Sequence, residues 1–87
     1  MNMKIKEQKL PKWFRGELYE EGETVRNRFS GEEYEFNNVE LSMYDFVMGA
    51  VIMTEMGRRD TKLITELRKG LDWFRMNNAE AYMVLLD

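Results

Sequence analysis

The spacing of apolar residues changes along this chain, and each change predicts a different element. Between residues 24 and 36 apolar and polar positions alternate in the two-residue period of a strand. Thr24, Val25, Arg26, Asn27, Arg28 and Phe29 form one run, and Glu32, Glu33, Tyr34, Glu35 and Phe36 form another, with Ser30 and Gly31 as connector. This predicts an antiparallel β-hairpin over about 24–29 and 32–36. In that register Val25 and Phe29 share one face of the first strand, as Tyr34 and Phe36 do on the second, while Arg26 and Arg28 oppose Glu33 and Glu35. Leu18 and Tyr19 could add a third short strand.

From residue 37 to residue 56 the periodicity disappears because apolar residues fall on every side of the helix. Val39, Leu41, Met43, Phe46, Met48 and Ile52, with their apolar neighbours, cover the whole circumference of a helix at about 100° per residue, and only Glu40, Asp45 and Glu55 interrupt with charge. Asn37 can cap this helix while Glu40 reaches back to the cap's own N–H. Gly57 suits the left-handed residue that closes it. A helix of this composition is expected to be wrapped on all sides, by its own chain or by a second subunit.

A polar break follows, and Asp60 or Thr61 can cap a second helix over about 61–76. Leu63, Ile64, Leu67, Leu71 and Phe74 form one stripe, with Gly70 inside it, whereas Lys62, Arg68, Lys69, Asp72 and Arg75 fall outside. Gly70 is unfavourable in mid-helix by roughly 1 kcal/mol relative to Ala, which predicts a neighbour in close approach. Trp73 lies well off the stripe, so it covers a rim, an interface or nothing. Asn77 and Glu80 repeat the capping-box spacing and open a short terminal helix over about 79–86, with Tyr82, Leu85 and Leu86 on its buried side. The fold class is therefore α+β: an N-terminal hairpin packed on a three-helix unit. Residues 1–87 form a single domain, with 1–8 a loose or short extended lead.

Composition narrows the possible chemistry. A chain of 87 residues sits near the size at which one core is marginally stabilising, and there is neither cysteine nor histidine to supply a disulfide or an ordinary zinc site. Self-association is the remaining common remedy, and a homodimer is expected. The commonest general base and activated nucleophiles are also missing. No calcium loop, phosphate loop or dinucleotide fingerprint is present, so no metal, cofactor or catalytic residue is assigned. No run approaches the roughly 20 apolar residues of a membrane span, and the N-terminus lacks an apolar signal region, which makes a cytoplasmic location the expectation. Asp45, in so apolar a helix, is the carboxylate expected to be buried, with Arg58, Arg59 or Lys62 as its partner.

The net charge is −3, with a basic opening and a glutamate-rich stretch after Glu17. In the basic opening, Pro11 and Gly16 bracket a non-helical segment carrying Lys12, Trp13, Phe14 and Arg15. Paired aromatics on such a segment usually anchor it to the core. They are also the candidate contact for a partner protein or for nucleic acid, as is Trp73. An acidic chain does not favour a polyanion. The eight methionines fill core gaps or make an adaptable binding surface.

Residues 9–16 (KLPKWFRG), 29–32 (FSGE), 41–49 (LSMYDFVMG) and 78–87 (NAEAYMVLLD) resemble small uncharacterised proteins of marine tailed cyanophages and ocean viral sequence. The family has no assigned activity, so the resemblance implies only a setting: a phage accessory protein in the cytoplasm of an infected cyanobacterium. Together these readings anticipate a non-enzymatic accessory protein that acts by binding a host or viral protein as a homodimer. A nucleic-acid-binding module built on the basic and aromatic segment is the alternative.

Overall fold

A computed structural model of the chain describes residues 8–86. Strands β1 (Glu23–Arg26) and β2 (Glu33–Phe36) form an antiparallel hairpin, followed by helices α1 (Asn38–Glu55) and α2 (Thr61–Asn77). A short helix, α3 (Ala79–Ala81), then widens into a π-helical turn at Tyr82–Leu86. The α+β architecture of a hairpin on three helices is the one the apolar pattern predicts. Residues 1–7, the greater part of the expected lead, lie outside the described residues; Gln8, its last member, is fixed by hydrogen bonds.

The first strand is shorter than its alternation suggests. Val25 pairs with Tyr34 and Arg26 with Glu33, and one further bond, from Asn27 N to Glu32 O at 2.8 Å, ends the ladder. Asn27 turns the chain: its side-chain oxygen accepts from the backbone N–H of Phe29 and Ser30, and its carbonyl accepts from Gly31 N. This side chain supplies locally the bonds that a continued ladder would have made. Arg28 consequently does not oppose Glu35, whose partner is Thr24. Phe29, expected on the core face, is 87% exposed. No third strand forms at Leu18 and Tyr19 among the described residues. Asn27 Nδ2 also donates to Val84 O at 2.9 Å, tying the hairpin turn to the C-terminal π turn.

Helix α1 begins and ends as its sequence dictates. The Asn37 side chain accepts from Glu40 N at 2.8 Å, and the Glu40 carboxylate accepts from Asn37 N at 3.0 Å. At the other end Gly57 has a φ of 103°, with Arg58 N donating to Met53 O and Gly57 N to Thr54 O. That pair of bonds closes a helix on a left-handed glycine. Asp60 is the cap of α2, accepting from Leu63 N at 2.8 Å. The cap of α3 is Asn78 and not Asn77, because Asn77 still belongs to α2 and donates its side-chain amide back to Trp73 O.

The two long helices meet where Gly70 predicts. A Cβ at Gly70 would sit 2.5 Å from Val47 Cγ2, and Val47 is fully buried with Met43 beside it. Gly70→Ala should gain about 1 kcal/mol of helix propensity. It should lose more by overpacking against the fully buried, branched Val47 side chain, about 1–3 kcal/mol. The expected net result is a lower midpoint in urea unfolding; a higher midpoint would show that the helices separate freely at this crossing.

Phe74 and Phe36 occupy the centre of the core. Phe74 is fully buried, its ring 5.6 Å from Phe36 and 5.1 Å from Trp73, edge to face with the latter. Trp73, which the stripe leaves outside, is 8% exposed, and its indole N–H donates to Lys9 O at 3.0 Å. The N-terminal segment accounts for this. It crosses the flank of α2 as an irregular strap, covering the face that a two-helix reading leaves bare. Ser42, buried in α1, accepts from Tyr19 N at 2.9 Å and donates to Asn38 O, which fixes the strap's far end.

Candidate interaction surface

The face of α1 turned away from α2 has the surface chemistry of a protein interior. Met43, Val47 and Ala50 are buried against α2 and the core, whereas Ile52, Met53 and Met56 are 49%, 42% and 79% exposed. The expectation that this helix is sheathed on all sides is therefore corrected for a single chain. Cover comes from α2 on one side, from the strap over Phe46, and from Phe36 at the ring of Tyr44. The turn at residues 56–60 sends the chain straight back along α2, so no later element crosses the outer face. At 100° per residue Asp45, Gly49, Ile52 and Met56, spaced four, three and four apart, lie along one line of that face.

Gly49 is the unexplained residue in this line. A mid-helix glycine is unfavourable by roughly 1 kcal/mol relative to Ala. A Cβ built on it meets no atom within 4 Å, in contrast to Gly70. The sequence carries the signal that would have singled it out: a glycine within an otherwise apolar helix. Gly49 also borders a cleft of about 590 Å³ between the C-terminal half of α1 and the start of α2, floored by Phe46, Ala50, Met53 and Leu63.

Four of the seven charged side chains that line that cleft form two ion pairs within the chain. Arg15 pairs with Glu66 at 2.7 Å and Arg58 with Asp60 at 2.9 Å. The Asp60 carboxyl is held below the ordinary carboxylate value by the Leu63 N–H and then by the Arg58 guanidinium. Asp45 is exposed and not buried as expected, since it lies on the uncovered face. It accepts from the Tyr19 hydroxyl at 2.8 Å, and that bond to a carboxylate raises the Tyr19 pKa above its ordinary value. Asp45 has no cation partner among the described residues, and neither does Arg59 an anion. No group of three or more acidic side chains converges on a metal position among the described residues.

The carboxylate that is buried is Glu40. Besides capping α1, it accepts from Gln8 Nε2 at 2.8 Å and Asn78 Nδ2 at 2.6 Å. Asn78 Oδ1 in turn accepts from Ala81 N and the Tyr34 hydroxyl. Strap, α1, α3 and hairpin are thus locked through two side chains, Glu40 and Asn78. Every buried side-chain polar atom among the described residues has a partner, and the bonds of this cluster act as a structural fastening.

The residues singled out in the basic opening are placed as anchors. Trp13 and Phe14 lie half-buried against Phe46, with ring centroids 5.9 and 5.2 Å away. Arg15 is held by Glu66 and only Lys12 stands clear; Lys69 lies over the Trp13 ring at 5.9 Å. Arg75, outside the apolar stripe of α2, is engaged by Asp72 and the Tyr82 hydroxyl. The rings that would stack bases are turned onto the core, so this segment offers no observation in favour of nucleic acid. No helix among the described residues is long and apolar enough to cross a membrane. No protein-family model, curated protein or solved structure matches the chain.

Proposed function

We propose that the protein is a non-enzymatic interaction module that works by protein–protein contact through the uncovered strip of α1, and that it self-associates there as a homodimer. The observation that carries this reading is the adjacent exposure of Ile52, Met53 and Met56 on a helix whose other side is core. Contiguous apolar surface of this kind on a small soluble chain marks an interaction site or an aggregation hazard. The Arg15–Glu66 and Arg58–Asp60 ion pairs at the neighbouring cleft and the absence of His and Cys favour binding over catalysis. The resemblance to cyanophage proteins supports a role as an accessory protein in the cytoplasm of an infected cell, with a host or viral protein as a further partner.

Size-exclusion chromatography with light scattering at low micromolar concentration tests the reading. The chain should elute at twice its 10.5 kDa mass, and Ile52→Glu should reduce it to a single-chain mass with an unchanged far-ultraviolet spectrum. A wild type that is monomeric throughout would remove self-association from the proposal.

A further inference from the structure

We infer that the occupant of the strip is the α1 helix of a second copy, antiparallel across a two-fold axis, with Ile52 of each copy seated on Gly49 of the other and Asp45 reaching Arg59 of the other. This rests on the self-association proposed above and specifies its geometry. Three observations carry it.

The first is the open space at Gly49. Within the chain nothing occupies the position where its Cβ would be. An exposed mid-helix site with room for a side chain favours alanine, unless a group from outside the chain comes closer to the backbone than a methyl allows. Ile52, one turn further along the same face and half exposed, is a side chain able to do so. The second observation is the spacing. Asp45, Gly49, Ile52 and Met56 alternate by four and three, the seam that a neighbouring helix covers by setting side chains into the gaps of its partner.

The third is charge. A two-fold contact must be self-complementary, so each group on the strip has to find its match on the same strip reversed. With Ile52 on Gly49, Met48 meets Met53, and Asp45 meets Met56 with Arg59 just beyond it. Asp45 lies at one end of the strip, and Arg59 follows the last turn of α1 at the other; neither has an ion-pair partner among the described residues. A parallel arrangement would set Asp45 beside Asp45. The antiparallel one pairs opposite charges at both ends and also opposes the two helix dipoles.

Sedimentation equilibrium on the full chain separates the outcomes. The wild type should dimerise. Gly49→Ala should weaken the dimer by about tenfold or more, because a methyl group occupies the seat of Ile52. The same substitution should raise the melting temperature of the dilute monomer by about 4 °C or more, since alanine is the better helix former. Asp45→Arg and Arg59→Asp should each weaken association, and the two together should restore it. Tyr19→Phe, which removes only the internal bond to Asp45, should leave it intact. A wild-type dimer indifferent to Gly49→Ala, or a double charge reversal that fails to restore association, overturns this geometry while leaving self-association standing. A wild type that stays monomeric overturns both and leaves the strip to a different partner.

Discussion

Phe74→Ala is expected to destabilise the fold by about 3–5 kcal/mol, the range for removing a fully buried aromatic side chain from a core. Phe74 is 0% exposed and touches both halves of the structure, meeting Phe36 from the hairpin and Trp73 beneath the strap. Its removal leaves a cavity whose walls come from different elements and cannot collapse by moving one side chain. Domains of this size have total stabilities of about 5–15 kcal/mol, so the variant should melt tens of degrees below the wild type. Phe29→Ala is the internal control. The same side chain, set in a turn and exposed, should change stability by no more than about 0.5 kcal/mol. Thermal melts followed by circular dichroism measure both, and equal losses for the two would show that the core is not centred on Phe74.

Glu40→Ala should be the next most damaging change, with a loss of about 3 kcal/mol. It leaves Asn37 N and Asn78 Nδ2 without their acceptor and Gln8 Nε2 with Asn77 O alone, and each part-buried donor that loses its partner costs up to about 1–3 kcal/mol. Glu40→Gln keeps the shape and isolates the bonding. Its single amide oxygen can serve Asn37 N or the two side-chain amides, but not both. Asn78 cannot rotate to compensate, because its own oxygen is committed to Ala81 N and Tyr34. Glu40→Gln should therefore lose about 1–2 kcal/mol in urea unfolding, less than alanine does. A neutral result for Glu40→Gln would mean that the carboxylate acts only as a local cap.

These two residues also mark where sequence reading succeeds and where it stops. Glu40 is legible as a capping residue because its partner, Asn37, is three positions away and the geometry of a helix start is fixed locally. Its burial is not legible, because Gln8 and Asn78 reach it from opposite ends of the chain. By the same pattern rules Asp45 is the carboxylate expected inside, and the structure exchanges the two. Phe29 continues an alternating run and so reads as core, but the strand ends at Arg26, three residues earlier, because the Asn27 side chain satisfies the backbone that follows. Neither reading was unreasonable for a window of a few residues; the deciding contacts lie outside the window.

The candidate surface follows the same division. An apolar circumference on α1 is a property of residues 38–56 and needs no structure to see. Which part of that circumference stays uncovered depends on how far the strap reaches, and on the turn at residues 56–60, which sends α2 back along one side.

Legible from the residues alone are the hairpin and the helices, the caps at Asn37 and Gly57, a cap at Asp60 or Thr61, a close approach at Gly70, and more apolar surface than two helices can hide. These depend on neighbours within about four residues, where chain geometry leaves little choice. The tertiary structure alone decided that Trp73 is roofed by an irregular strap, that Glu40 and not Asp45 is the buried acid, and that Gly49, Ile52 and Met56 face outward together. Those outcomes depend on segments brought together from distant parts of the chain, and an aperiodic strap leaves no pattern of its own by which its path could be foreseen.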